Sequence, residues 1–252
     1  MKAPKIIYIP GWASSPRIEP QLITLLKEKF AVETLWLPDY GNPDWMPDMT
    51  VSALYLDRLA RRIEQEPEPV SLIGWSTGGL GCLELALAHP AKVRSLTLIS
   101  STARFCAGNG WDHGKPVEEV ESLRLRLQTD PTAALRGFFL GCYHPSRPDK
   151  GDLAERVRDA LSTPGNQLDL GLRYLISADF TTKLSSIQAP TLVLHGVLDA
   201  IIPVHAARSL AQAIPNAEIR LLDNSGHMLP DTNADELFES IASQLGLGES
   251  SS

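Results

Sequence analysis

Short apolar runs alternate with longer stretches in which apolar residues recur every three or four positions. The short runs predict buried strands, and the longer stretches predict helices that bury one face. The first predicted strand is KIIYIP (5–10), followed by a helix over 18–30, the strand VETLWLP (32–38) and a helix over 50–65. This alternation is typical of crossover units and therefore predicts a parallel sheet.

The same alternation returns further along the chain. The run VSLIGW (70–75) predicts a strand, and the apolar stretch after Ser76 predicts a helix. Three more strands are predicted from VRSLTLIS (93–100), APTLVLHG (189–196) and AEIRLLD (217–223), and helical segments follow the last two. The pattern therefore predicts an α/β fold with a doubly wound, mostly parallel sheet.

The alternation stops between residues 102 and 182. This stretch has no good strand, and four of its segments have helical periodicity: VEEVESLRLRLQ, PTAALRGFFLGC, LAERVRDALS and QLDLGLRYLI. We therefore predict a helical cap (102–182) inserted into a core formed by 1–101 and 183–247. The final residues, 248–252, read GESSS and are expected to be a disordered tail.

Composition narrows the class of protein. The 252 residues are 43% apolar and 21% charged with a net charge of -7, which is typical of an acidic soluble protein and argues against nucleic acid as a partner. Cys82, Cys106 and Cys142 are odd in number and widely spaced, which argues against disulfides and a CxxC metal site. The first apolar run is too short for a secretory signal or a membrane span. We expect a cytoplasmic protein with no membrane partner.

Ser76 lies between a predicted strand and a predicted helix, with Gly74 and Gly78 two residues away on either side. A G-x-S-x-G motif in this context is typical of a nucleophile elbow, which holds the serine hydroxyl at the carboxyl edge of the sheet. The alternative is a structural turn with an inert serine. We predict that Ser76 is a nucleophile.

A nucleophilic serine needs a base, and six histidines are available. His227 lies in a Gly-containing loop after the last predicted strand, from which it can reach Ser76 at the sheet edge. His195 ends a strand and is more typical of a packed or backbone-bonded residue. The remaining histidines are expected to be structural, surface or cap residues: His89, His113, His144 and His205.

The base in turn needs a carboxylate that orients it. Asp199 lies in the loop after the penultimate strand, at the same sheet edge, and the chain order Ser76, Asp199, His227 is that of α/β hydrolases. Asp223 is a rival because it is close to His227 in the sequence. At a strand end, however, it more often satisfies the following turn.

Hydrolysis through a tetrahedral oxyanion also needs two backbone donors. The first is expected to be the N–H of Thr77, directly after the nucleophile, and the second the N–H of Trp12 in the loop after the first strand. Gly11 permits a close approach of that loop. The alternative role of Trp12 is packing, and both roles are compatible.

Five segments resemble one family. They are PGW (10–12), GWSTGG (74–79), SSTARFCAGNGWDHGKP (100–116), HGVLDAIIP (195–203) and GHMLP (226–230). Together they resemble the pimeloyl-acyl-carrier-protein methyl ester esterases of biotin synthesis, which are serine carboxylesterases of the α/β-hydrolase superfamily. The resemblance extends from about Lys5 to Leu245, and it departs from the family where Pro10 replaces the usual histidine of the oxyanion loop.

The resemblance implies a reaction and its substrate. Ser76 is expected to attack the methyl ester of a pimeloyl chain held on an acyl-carrier protein, and water activated by His227 then hydrolyses the acyl-enzyme. No metal or organic cofactor is implied. The family's substrate-contacting positions correspond to Trp12, Trp75, Phe138, Phe139 and Leu140, although aromatic residues at helical spacing are also typical of plain core.

An acidic carrier protein predicts basic residues around the mouth of the site. Candidates in the cap are Arg136, Arg147, Lys150, Arg156 and Arg158, and the alternative is a solvated face of mixed charge. The expected assembly is a monomer. The alternative functions are a broad short-chain carboxylesterase, a carbon–carbon bond hydrolase with the same three residues, and a small-ligand receptor on a hydrolase fold.

Overall fold

A computed structural model describes residues 4–36, 51–108, 110–163 and 165–247. Its strands form one sheet in the order β2-β1-β3-β4-β5-β6, and every neighbouring pair is parallel. The strands are β1 (Lys5–Ile9), β2 (Ala31–Thr34), β3 (Val70–Trp75), β4 (Val93–Ile99), β5 (Thr191–Gly196) and β6 (Ala217–Leu222). The prediction of a doubly wound parallel sheet is confirmed.

The strand order reverses direction between β1 and β3, where open α/β sheets place their ligands at the carboxyl ends of the strands. The helices are α1 (Gln21–Lys27), α2 (Val51–Glu64), α3 (Thr77–Ala88), α4 (Val117–Thr129), α5 (Pro131–Tyr143), α6 (Lys150–Leu161), α7 (Gly165–Ser177), α8 (Val204–Ala213), α9 (Leu229–Thr232) and α10 (Ala234–Gln244). Helix α1 packs against α10, whereas α3 packs against α2 and the central strands.

The central strands β3 and β5 are buried along their whole length. Both are nearly continuous apolar runs because a parallel sheet is covered on both faces. Four helices, α4 to α7, lie between β4 and β5, where the sequence predicts four helical segments. The division into a core and a cap at residues 102 and 182 remains a prediction.

Two elements at the start of the chain are shorter than predicted. Helix α1 begins only after Pro20, whose backbone is extended, and it ends at Lys27 instead of extending to Phe30. Strand β2 ends at Thr34, and the last two residues of its predicted span, 37 and 38, lie outside the described residues. Thr50 and the predicted tail (248–252) lie outside them as well.

Within the described ranges, no helix is both long enough and apolar enough to cross a membrane.

Candidate active site

Ser76 occupies the sharp turn between β3 and α3. Its backbone has φ 54° and ψ -120°, a conformation that a non-glycine residue rarely adopts. Hydrogen bonds hold it there: its N–H donates to the Ile99 carbonyl (2.9 Å), and its own carbonyl accepts from the Ser101 hydroxyl (2.9 Å). The strained turn is that of a nucleophile elbow, as the sequence predicts.

Glycine at position 78 is required by the close approach of α3 to β1. A Cβ atom on Gly78 would overlap the backbone carbonyl of Ile9, and the backbone cannot yield as a flexible side chain can. A Cβ atom on Gly74 would lie 2.6 Å from the Cα atom of Gly79. Both glycines of the motif therefore allow the turn to pack directly against the neighbouring strand and helix.

The structure brings Ser76, His227 and Asp199 into one hydrogen-bonded chain. His227 Nε2 lies 2.9 Å from Ser76 Oγ, and His227 Nδ1 lies 2.7 Å from Asp199 Oδ2. All three side chains are buried. Because an ionised carboxylate only accepts hydrogen bonds, the proton of a neutral His227 lies on Nδ1, which leaves Nε2 to accept the serine proton.

Asp199 is held on both of its oxygens. Oδ1 accepts the backbone N–H groups of Ile201 (2.8 Å) and Ile202 (2.9 Å), while Oδ2 faces His227. Burial by itself raises the pKa of a carboxyl group, but here His227, His195 and the backbone N–H of Ile202 outweigh burial and hold the pKa of Asp199 below its ordinary value. The rival, Asp223, is exposed, so the hydrogen bond of His227 goes to Asp199.

The backbone of His227 is fixed from two sides. The Cys142 carbonyl at the end of α5 accepts the N–H groups of both His227 (3.2 Å) and Met228 (3.0 Å). On the other side, the Trp75 indole N–H donates to the His227 carbonyl (2.9 Å). Trp75 is predicted from the sequence to contact the substrate, whereas in the structure its indole N–H holds the loop of His227.

A cavity of about 540 Å³ opens beside Ser76. Its wall includes Trp12 and Phe138, whose rings pack edge to face with their centroids 4.8 Å apart. The cavity is further lined by apolar residues from three helices and two loops: Phe105, Val120, Leu123, Ala134, Leu172, Leu175 and Ile201. This volume and largely apolar lining are typical of a small-molecule site.

Only the first of the three predicted channel residues on α5 lines this cavity. Phe138 does so, whereas Phe139 lies with Trp75 on a separate, much smaller space, and the Leu140 side chain is 44% exposed. Successive residues of an α-helix point about 100° apart, so three in a row cannot share one wall. The assignments of Phe139 and Leu140 to the channel are therefore corrected.

Both residues predicted to donate backbone N–H groups to the oxyanion, Trp12 and Thr77, line the cavity beside Ser76. Thr77 begins α3, and the first N–H groups of a helix have no acceptor within the helix. The indole N–H of Trp12 donates to the Leu168 carbonyl in α7 (2.9 Å), which fixes the oxyanion loop to the predicted cap. The donor roles of the two backbone N–H groups remain predictions.

One part of the cavity wall is charged and was not predicted from the sequence. Lys115, Glu118, Glu119 and Arg126 line the cavity, and Lys115 and Glu119 lie 3.9 Å apart. Three of the four residues lie on α4, whose spacing of 118, 119 and 126 places them on one side of the helix. The spacing was visible in the sequence, but which side of α4 faces Ser76 depends on tertiary packing.

Four of the five predicted docking residues are exposed: Arg136, Arg147, Lys150 and Arg158. Arg156 is different, because it forms an ion pair with Asp231 in α9 and donates to the Tyr143 hydroxyl (2.8 Å). Its side chain is only 15% exposed. The assignment of Arg156 to a docking surface is corrected, because the residue joins α6 to the helix that follows His227.

This difference between two arginines of one helix gives a testable prediction. Replacing Arg156 by alanine leaves the largely buried Asp231 carboxylate without its partner, at a cost of about 2 kcal/mol. We expect the melting temperature to fall by about 5 °C. Arg158→Ala, on the exposed side of α6, is the matched control and should melt within about 1 °C of the wild type. Equal melting of the two variants would contradict the structural role of Arg156.

The parallel sheet, the strained serine turn and the Ser76–His227–Asp199 chain together define a hydrolase of one large class. Residues 6–234 match the α/β hydrolase fold family, and the chain belongs to that family. The prediction of a hydrolase is thereby confirmed.

More specific similarity points to one group of esterases. The chain is 28% identical over 228 residues to the pimeloyl-[acyl-carrier protein] methyl ester esterase of Chromobacterium violaceum, covering 90% of this chain and 88% of that protein. It is 29% identical over 242 residues to the protein of the same name from Aromatoleum aromaticum, covering 90% and 92%. The resemblance inferred from the motifs is confirmed.

A solved structure extends the similarity to the whole fold. The esterase EaEST from Exiguobacterium antarcticum superposes with a TM-score of 0.84 over 97% of this chain and 92% of that chain, at 19% identity. At this identity the match supports the fold alone.

Proposed function

We propose that this protein is a serine carboxylesterase that hydrolyses the methyl ester of pimeloyl-acyl-carrier protein. The observation that carries the proposal is the Ser76–His227–Asp199 hydrogen-bonded chain at the wall of a largely apolar cavity of about 540 Å³. The name shared by the relatives supports the choice of substrate.

The first half of the reaction forms an acyl-enzyme. Ser76 Oγ attacks the ester carbonyl carbon while His227 Nε2 takes the hydroxyl proton. The carbonyl oxygen becomes an oxyanion, which the backbone N–H groups of Trp12 and Thr77 stabilise. The bond to the methoxy group then breaks, and His227 returns its proton to that oxygen, so that methanol leaves. Asp199 stabilises the transient imidazolium.

The second half returns the enzyme to its starting state. A water molecule gives a proton to His227 Nε2 and attacks the acyl carbon, which forms a second oxyanion. The bond to Ser76 Oγ breaks, the serine recovers its proton from His227, and the acyl chain leaves as a free carboxylic acid. Each proton taken by His227 is returned, so this chemistry requires neither a metal nor an organic cofactor.

The surroundings of Ser76 fit an acyl chain with a large group at its far end. The free energy of binding becomes more favourable when apolar side chains such as Phe138 and Leu172 remove the methylene groups of the chain from water. The lining also includes charged residues, among them Lys115 and Arg126. Arg136 and Arg158 are exposed cations, which an acidic carrier protein could contact.

The relevant experiment measures methanol release from pimeloyl-acyl-carrier-protein methyl ester and from the free dimethyl ester. Charge reversal at Arg136 and Arg158 together is expected to lower kcat/KM for the carrier-bound ester about tenfold at low salt, and less at high salt, because exposed charges act mainly on association. Hydrolysis of the free ester should not change. Equal rates of the variant and the wild type on both substrates would remove support for carrier docking.

The charged wall also favours a second candidate, a broad carboxylesterase of small esters. Glu118 and Glu119 line the cavity and would repel an acidic partner that approaches them closely. A series of p-nitrophenyl esters separates the candidates. A broad esterase would prefer short acyl groups and gain nothing from the carrier, whereas the proposed enzyme would hydrolyse the carrier-bound methyl ester with the highest kcat/KM.

We place the proposed reaction in the cytoplasm, where acyl chains are attached to acyl-carrier proteins. Cys82, Cys106 and Cys142 are free, buried thiols, which fits a reducing compartment.

A further inference from the structure

A second histidine contacts the same carboxylate as His227. His195, the penultimate residue of β5, is completely buried, and its Nε2 atom lies 3.4 Å from Asp199 Oδ2. The same nitrogen lies 2.9 Å from the Ile202 carbonyl oxygen. Asp199 Oδ2 is also the oxygen that faces His227 Nδ1, so two imidazole rings converge on one oxygen atom.

The contacts of His195 define its protonation. The Ile202 carbonyl can only accept a hydrogen bond, so His195 Nε2 carries a proton. His195 Nδ1 is buried and has no hydrogen-bond partner within the described part of the chain. A proton there would be an unsatisfied buried donor, and burial lowers the pKa of His195 although Asp199 opposes this effect. His195 is therefore a neutral imidazole with its N–H directed at the Asp199 loop.

The hydrogen bond of His195 closes the loop that carries Asp199. The backbone N–H of Ile202 donates to Asp199 Oδ1. The carbonyl oxygen of the same residue accepts the N–H of His195 Nε2. Ile202 is thus held at both of its backbone polar groups, one by Asp199 and one by His195. The carboxylate cannot rotate away from His227 without breaking its bond to Ile202.

We propose that His195 is a positioning residue that orients the Asp199 carboxylate toward His227. It acts through Asp199 and the Ile202 carbonyl and does not touch the substrate. The inference rests on the proposed roles of Ser76, His227 and Asp199. It differs from ordinary packing of a core histidine, which would contribute to stability and leave the chemistry unchanged.

The test uses p-nitrophenyl acetate, an activated ester that needs no carrier protein. His195→Gln retains an N–H donor near the position of Nε2, whereas His195→Phe fills the site without a donor. Val193→Ala, on the same buried strand, is the control because it loses core packing and removes no hydrogen-bonding group. The measurements are kcat, KM and the melting temperature.

We expect His195→Phe to lower kcat by up to about 100-fold with little change in KM, because a displaced catalytic group costs rate more than binding. The groups acting electrostatically on His195 are Asp199 and His227. His195→Gln should recover most of kcat, and Val193→Ala should lower only the melting temperature.

Three outcomes would overturn the inference. They are an unchanged kcat in a folded His195→Phe variant, a loss of kcat in His195→Gln as large as that in His195→Phe, or a matching loss of kcat in Val193→Ala. If His195→Phe does not fold, ¹⁵N NMR of the wild type decides: a His195 ring that titrates between about pH 5.5 and 8, or that carries its proton on Nδ1, contradicts the inference. Failure of the proposed function is distinguishable, because the wild type would then be no faster than Ser76→Ala.

Discussion

Replacing Ser76 by alanine is expected to lower kcat for ester hydrolysis by about 10³-fold or more. The change removes the only oxygen in the hydrogen-bonded chain that can form the acyl-enzyme, while the backbone N–H donors and the cavity stay in place. His227→Ala should cause a loss of the same order, because the serine hydroxyl is a weak nucleophile without a base. The double variant should be little worse than either single variant, since the two groups act in one step.

The control for this experiment is a second buried serine. Ser95 in β4 donates to the Ser71 hydroxyl (2.9 Å), so Ser95→Ala is expected to cost about 1 kcal/mol of stability while kcat stays at the wild-type value. Ser76→Ala should melt within about 2 °C of the wild type, because it removes one hydrogen bond from a strained turn. A Ser76→Ala variant that retains more than a tenth of the wild-type kcat would contradict the nucleophile assignment.

Replacing Gly226 by alanine is expected to reduce kcat by about 100-fold or more. A Cβ atom on Gly226 would overlap the His144 carbonyl oxygen, so the loop before His227 and the end of α5 must move apart. That movement displaces the His227 backbone from the Cys142 carbonyl and moves Nε2 away from Ser76 Oγ. A displacement of about 1 Å in a reacting group costs about 100-fold in rate.

Gly137 provides the comparison, because nothing lies within 4 Å of the position that its Cβ would occupy. Gly137→Ala should raise the stability by about 0.5–1 kcal/mol, the usual gain for alanine in a helix interior. Gly226→Ala should instead lower the melting temperature. Kinetics on p-nitrophenyl acetate and thermal melting measure both effects, and wild-type kcat in Gly226→Ala would show that the end of α5 does not constrain the loop.

The parallel sheet and the hydrogen-bonded chain of Ser76, His227 and Asp199 could be predicted from the sequence for one reason. Buried parallel strands are continuous apolar runs, so their ends are visible, and residues that follow them meet at one edge of the sheet. Ser76, Asp199 and His227 each follow a strand, and the structure brings them within hydrogen-bonding distance. The apolar run also explains why His195, at the end of β5, was expected to be backbone-bonded, as it is to Ile202.

Features that depend on contacts between residues distant in sequence could not be predicted. Arg156 and Arg158 are both arginines of α6, and only the tertiary fold brings Arg156 to Asp231. Likewise, the choice between Phe138 and Leu140 for the cavity wall depends on the rotation of α5 about its axis. Periodicity defines the apolar side of a helix, but it does not say which part of that side faces the core and which part faces a cavity.

The Cys142 carbonyl also limits how the predicted cap can be exchanged or lengthened. One backbone oxygen receives the N–H groups of His227 and Met228, so the loop of His227 depends on the position of α5 and makes no use of the Cys142 side chain. That side chain is completely buried, so grafting the segment from another family member should preserve hydrolysis with any small apolar residue at 142, provided that α5 ends at the same position. Inserting a single residue within α5 would rotate its end by about 100° and shift it by about 1.5 Å. Directed evolution of this enzyme should therefore tolerate small apolar substitutions at 142 and reject changes in the length of α5.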